Sequence, residues 1–450
     1  MKNMNFAQTI IHKLSARQIL DSRGRPTVEV DVFLHDGTMG RASVPSGAST
    51  GAAEAHELRD GDMQHYDGLG VLKAVDHVNT EIAGAIIGAD AADQAAIDAR
   101  LRELDGTPQL ARLGANAVLG TSLATCRAAA QSLCQPLHER LAELSGTRDL
   151  TMPIPMVNIL SGGLHAGRGM DVQDFLVIPA SARSMSEAIR VVSRIRNAAT
   201  EVMKKRGLST LLADEGGLSP GFETGRQALQ LTIEATQLAG LEPGVDMLIA
   251  IDVAASSLVG RDGLYHFERE GCKRDSNEMI AMLESWVDEF PIISIEDGLA
   301  EEDWAGWRAL TAKLGDEVRL IGDDLFTTHA DRLAKGVNLG VANGILVKIN
   351  QNGTLSGTLD VLAHGRRAGY QPVVSARSGE TEDSFIADLA VGTAAGQIKI
   401  GSVRCSDRLS KYNQLLRIEQ EGSYRFAGVE GVLQGLGTRN ESGASNDHGR

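Results

Sequence analysis

Residues 27–33 (TVEVDVF) alternate apolar and polar side chains, the period of a half-buried strand. After Leu34, HDGT at 35–38 carries hairpin turn chemistry. A Gly/Ser-rich loop follows, PSGASTG at 45–51, and from about 70 to 145 the pattern is helical and rich in Ala and Leu. Strand first and helices later predicts a small α+β domain over residues 1–145. After Pro153 the pattern changes to short apolar runs: MVNIL (156–160), DFLVI (174–178), LIAIDVA (248–254), IISIED (292–297), RLIGDD (319–324), GILVKIN (344–350), PVVSA (372–376) and QIKIG (397–401). Helical stretches at 303–314, 354–367, 382–392 and 406–420 lie between the later runs. This alternation predicts a β/α barrel over 146–432. A doubly wound sheet is the rival. Polar residues recur at the C-terminal ends of the runs, where barrel active sites lie, and that favours the barrel. The polar, Gly-rich residues 433–450 predict a disordered tail.

Composition narrows the function classes. The 450 residues carry 44 Lys+Arg against 59 Asp+Glu, a formal net charge of −15, which repels nucleic-acid backbones and anionic membranes. Aromatic residues make up 4%, too few for a base-stacking platform. Cys126, Cys134, Cys272 and Cys405 form no CxxC pair, so neither a zinc ribbon nor a thioredoxin-like site is supported. No segment reaches the ~20 consecutive apolar residues of a membrane span, and the first residues lack a cleavable apolar leader. The expectation is a cytoplasmic α/β protein.

The chemistry gathers at the ends of the runs. Asp252 (IAID), Glu296 (ISIED) and Asp323 (LIGDD) follow three separate runs. One such acid alone suits a helix cap or a surface position. Three converging at one barrel mouth make an oxygen-rich site for a hard divalent cation such as Mg²⁺. Lys348 and Lys399 sit among apolar residues, where burial lowers a lysine's pKa and lets it act as a base; a structural ion pair is the alternative. Arg377 and Ser378 suit a phosphate or carboxylate. The stretch 161–169 (SGGLHAGRG) precedes a strand-like run instead of a helix, which argues against a dinucleotide loop. Its His165 is either a substrate-facing imidazole or a plain loop residue. Glu215, in LLADEGG, is either an acid–base group or a helix cap.

Together these motifs resemble the enolase family, from DSRGRPTVEV (21–30) to SDRLSKYNQLLRIE (406–419). Between them stand VPSGASTG (44–51), ELRDGD (57–62), DEGG (214–217), SIEDGL (294–299), GDDLF (322–326), SGETED (378–383) and DLAVGTAAGQIK (388–399). The resemblance implies an α/β fold, a small N-terminal α+β domain before a modified (β/α)8 TIM-type barrel. It implies a lyase that interconverts 2-phosphoglycerate and phosphoenolpyruvate with two Mg²⁺ per active site, acting on a small phosphorylated carboxylate. A homo-oligomer, dimer or larger, is implied as well. By the same resemblance, Asp252, Glu296 and Asp323 hold one Mg²⁺ and Ser49 helps hold the second. Lys348 removes the C2 proton, Lys399 holds the substrate carboxylate, Arg377 and Ser378 the phosphate. Glu215 and Asp174 serve the departing hydroxyl, and Gln173 and His165 bind substrate.

Three positions depart from the family pattern. The usual Gln-Glu-Phe is Gln173-Asp174-Phe175, the usual Ser-His-Arg is Ser375-Ala376-Arg377, and the usual Asn-Gly-Gly is Ser161-Gly162-Gly163. The shorter Asp174 draws its carboxylate back by roughly 1.5 Å, and misplacement on that scale costs about 10²-fold in rate. Loss of the imidazole at Ala376 is expected to open space. Three readings follow: an enolase of altered efficiency, an enolase-like enzyme on a phosphonate substrate (a carboxyphosphonoenolpyruvate synthase type), and a non-catalytic paralogue.

Overall fold

The computed structural model describes residues 9–47 and 51–437, and of His165 the backbone only. The chain opens with an antiparallel sheet, β1 (Ile11–Leu20), β2 (Pro26–Leu34) and β3 (Met39–Ser43), in that order. Val28, Val30 and Val32 line the buried face of β2. Three main helices follow, α1 (Gln94–Asp105), α2 (Ala115–Ser132) and α3 (Leu137–Ser145). The Ala-rich α2 lies close against the sheet. A Cβ on Gly40 would fall 2.1 Å from the Ala124 carbonyl oxygen, so only glycine permits that approach.

The second part is a closed barrel of β4 (Ile154–Ser161), β5 (Asp174–Ile178), β6 (Leu248–Asp252), β7 (Ile292–Glu296), β8 (Arg319–Gly322), β9 (Gly344–Val347), β10 (Gln371–Ser375) and β11 (Gln397–Lys399). Each apolar run noted above overlaps one of these strands. The alternation is less regular than the sequence suggests, because β5 runs antiparallel to both β4 and β6. The linker between β4 and β5 is a Gly-rich turn with no crossover helix, and a parallel return needs such a crossover. Two helices, α4 (Met185–Lys205) and α5 (Gly225–Leu238), then follow in series. The remaining strands alternate with α6 (Ser276–Glu289), α7 (Trp304–Leu314), α8 (Ala330–Leu339), α9 (Leu355–Arg367), α10 (Phe385–Gly392) and α11 (Ser406–Glu421).

Ile154, Met156, Leu176, Ile178, Ala250, Ile321, Leu346 and Val373 pack together inside the barrel. Val432 and Leu436 join them from the foot. There Arg319 donates to the carbonyls of Val432 (2.9 Å) and Gln434 (2.5 Å), and the Gly437 N–H donates to Asp316 (2.7 Å). Residues 433–437, expected to begin a disordered tail, are therefore bound to the barrel. The rest of that stretch, 438–450, lies outside the described residues. Among the described residues no helix is long and apolar enough to cross a membrane.

Candidate active site

Strand periodicity carries the interior pattern up to the barrel mouth. Side chains two residues apart share a face. Ala250, Ile321 and Leu346 point into the barrel core, so Asp252, Asp323 and Lys348 stand directly above them. Gln397 puts Lys399 on that side in the same way. Strand β5 is reversed, so its first residue, Asp174, reaches the same end two residues before Leu176. The ladder pairs Ser161 with Asp174, Asp174 with Asp252, and Asp252 with Glu296, a row of polar groups across four strands.

The cations lie among these acids. Lys399 Nζ donates to Asp252 Oδ2 (2.8 Å) and Glu296 Oε2 (2.6 Å), and Gln173 Nε2 donates to the same Asp252 oxygen at 3.0 Å. Lys348 Nζ donates to Asp323 Oδ2, and Gln351 Nε2 donates to Asp323 Oδ1 at 3.0 Å. Asn158 Nδ2 donates to Glu215 Oε2 at 3.3 Å. Ser161 Oγ donates to Asp174 Oδ1 at 2.7 Å, so two of the family departures contact each other. Ser378 accepts from Arg23 Nη1 through its hydroxyl (3.3 Å) and from Arg408 Nη2 through its carbonyl (2.7 Å).

A small, narrow cavity opens at this mouth, walled by Gln173, Glu215, Asp252, Ala254, Asp297, Asp323, Asp324, Lys348, Arg377 and Ser378. Lys399, Glu296 and Asp174 lie buried beside it without forming its wall. Ala376 is also buried and is not part of the wall, so the room expected from the missing imidazole does not belong to this cavity. Ser49 and the His165 side chain lie outside the described residues.

The electrostatics correct one expectation. Burial does work to lower the pKa of Lys348 and Lys399, but their acid partners outweigh it. Asp323 holds Lys348 above its ordinary value, and Asp252 and Glu296 hold Lys399 well above its own. Conversely, burial and the neighbouring Asp252 push Glu296 well above the carboxylate range, against the pull of Lys399. Burial and Asp323 raise Asp324 to about 7.

Asp297, Asp324 and Glu54 were not singled out from sequence, although the doublets Glu296-Asp297 and Asp323-Asp324 stand in plain view there. Asp297 takes a left-handed backbone (φ 43°), a conformation that Asp tolerates better than most residues. Its carboxylate accepts the backbone N–H groups of Asp323 (2.9 Å) and Asp324 (2.8 Å), bracing the end of β8.

The donor set suits a hard divalent cation. Its oxygens are carboxylate, Asp297, Asp323 and Asp324 offer atoms within 4.8 Å of one another, and Glu296 Oε1 is buried with no hydrogen-bond partner. Of that trio Asp297 already spends both oxygens on backbone N–H groups. Asp323 is likewise engaged, by Lys348 and Gln351, and Asp252 and Glu296 on the neighbouring strands add further carboxylates to the same mouth.

Comparison with known families agrees with this architecture. Residues 11–141 match the family model for the enolase N-terminal domain, and residues 149–432 match that for the enolase C-terminal TIM barrel domain. The matches cover both parts of the fold and all the described mouth residues from the barrel. The chain belongs to the enolase family.

Proposed function

We propose that this protein is a divalent-metal-dependent lyase that interconverts 2-phosphoglycerate and phosphoenolpyruvate plus water. The observation that carries the reading is the convergence of Asp252, Glu296 and Asp323 with Lys348 and Lys399 at one buried mouth. Lys348 Nζ takes the C2 proton. Lys399 Nζ holds the carboxylate on which the enolate charge develops, preorganised where water is scarce. Arg377 and Ser378 hold the phosphate. Glu215, on the cavity wall, gives a proton to the departing 3-hydroxyl. Asp174, held by Ser161 on the neighbouring strand, supports that end of the site. Asp252, Glu296 and Asp323 would hold one Mg²⁺, and Ser49 would contribute to a second. When bound, Mg²⁺ supplies the positive charge that neutralises these acids and the growing enolate, loosening their grip on the lysine protons.

The test is an absorbance assay for enolpyruvate formation from 2-phosphoglycerate with Mg²⁺, run with and without a nucleotide-activated phosphonoformate. Rapid product without the phosphonate is the expected result. Product only with it would replace this reading by the phosphonate one. That alternative calls for room at Ala376, which the mouth cavity does not include. Absence of product, of C2 deuterium exchange and of Mg²⁺ binding would leave a non-catalytic paralogue.

A further inference from the structure

Glu54 belongs to the N-terminal part of the chain, yet its carboxylate lies buried against the barrel mouth. Its Oε2 accepts from Arg377 Nη1 at 3.0 Å, and its Oε1 accepts from Gly51 N–H at 3.0 Å and Gln351 Nε2 at 3.1 Å. Asn350 Oδ1 accepts from the same Arg377 Nη1 at 2.8 Å. Arg377 Nη2 also donates to Glu54 Oε1 at 3.5 Å, so the carboxylate meets the guanidinium through both oxygens, and the arginine lines the cavity.

The orientation of Gln351 is not arbitrary. Thr328 Oγ1 accepts the Lys348 backbone N–H at 2.9 Å and donates its own proton to Gln351 Oε1 at 2.7 Å. That leaves Nε2 as the donating end, with one hydrogen for Glu54 and the other for Asp323. One amide therefore ties Glu54 to the acid that holds Lys348. An Arg–Glu pair this deep (3% and 6% side-chain exposure) is costly to desolvate and is a poor source of net stability. Its geometric effect is to fix a planar guanidinium.

We infer that Glu54 is a positioning residue: it sets the Arg377 guanidinium for the substrate's anionic group, so that the barrel site is incomplete without the N-terminal domain. This rests on the reading of Arg377 as the anion holder. A rival role has the opposite sign. If Glu54 merely competed with the substrate for Arg377, removing its charge would tighten anion binding.

The experiment measures inorganic phosphate binding to the full chain by calorimetry, together with KM and kcat for 2-phosphoglycerate, in Glu54→Gln, Glu54→Asp and Arg377→Lys. Glu54→Gln is expected to weaken phosphate binding and raise KM by about tenfold, the scale of one charge-assisted hydrogen bond. Glu54→Asp keeps the buried charge, and so the fold, but draws the carboxylate back; it should shift both quantities in the same direction by less. In both, kcat should move far less than KM. Unchanged or tighter phosphate binding in the Glu54 variants, with binding lost in Arg377→Lys, overturns the role of Glu54 and leaves Arg377 as the anion holder. Phosphate binding unaffected by Arg377→Lys overturns the reading of Arg377, and this inference with it.

Discussion

Ser161 Oγ reaches Asp174 at 2.7 Å because Gly217 leaves it room: a Cβ at that glycine would lie 2.2 Å from the hydroxyl. Gly217→Ala is therefore expected to destabilise the protein by about 1–3 kcal/mol, the usual cost of overpacking. In a Ser161→Ala background the closest clash disappears, and most of that loss should vanish. Urea unfolding of the two single variants and the double variant measures the coupling, and strict additivity would count against the contact. Function follows the same geometry. Reverting Asp174→Glu and Ala376→His should raise dehydratase turnover if these departures limit it. Because Ser161 contacts Asp174 directly, the third departure is coupled to the first, and the gain should be larger when Ser161→Asn restores the family residue as well. Steady-state assays of the double and triple variants decide this.

The two domains are joined element to element. Arg127 on α2 donates to Asp383, just before α10, at 2.8 Å, and the same carboxylate accepts the Ser43 N–H at the end of β3 at 3.0 Å. Burial raises the Asp383 pKa, but Arg127 outweighs it and holds the group below its ordinary value of 3.8. A carboxyl with a depressed folded pKa contributes in full above the unfolded value and loses that contribution as pH falls through the folded one. Asp383→Asn should thus cost about 1–2 kcal/mol at pH 7, less than for a fully buried pair because Arg127 is partly exposed. The gap between wild type and variant should close as the pH falls below 3.8. Urea midpoints from pH 7 to pH 3 check both statements; a gap that does not begin to narrow below pH 3.8 would show that Arg127 is not its source.

The whole chain carries −15, and part of that charge is concentrated at the barrel mouth, where Lys348, Lys399 and Arg377 offset it only partly. Such a site should gain stability from a cation that binds only the folded state. With Mg²⁺ at a hundred times its Kd the increment is about 2.7 kcal/mol. Glu296→Gln, which removes a buried carboxyl oxygen that has no hydrogen-bond partner, should lose most of that increment while the metal-free protein stays folded. Urea unfolding with and without Mg²⁺ reads it, and no increment in the wild-type chain would remove the metal from the proposal.

Local pattern was enough to place the barrel strands and the acids at their ends, because a strand buried on both faces must be written as a short apolar run. The runs ending in Asp252, Glu296 and Asp323 are visible in the sequence for that reason, as is the helical stretch that became α9. The direction of β5 was not visible. Alternation reads the same forwards and backwards, and only barrel closure turned Asp174 toward the mouth. Nor did sequence spacing reveal Glu54, which meets Arg377 323 positions further along the chain. The charge state of Lys348 and Lys399 also belonged to tertiary structure. Apolar neighbours in sequence implied a lowered pKa, whereas the folded chain put carboxylates from other strands within hydrogen-bonding distance, and at that range their charge outweighs desolvation.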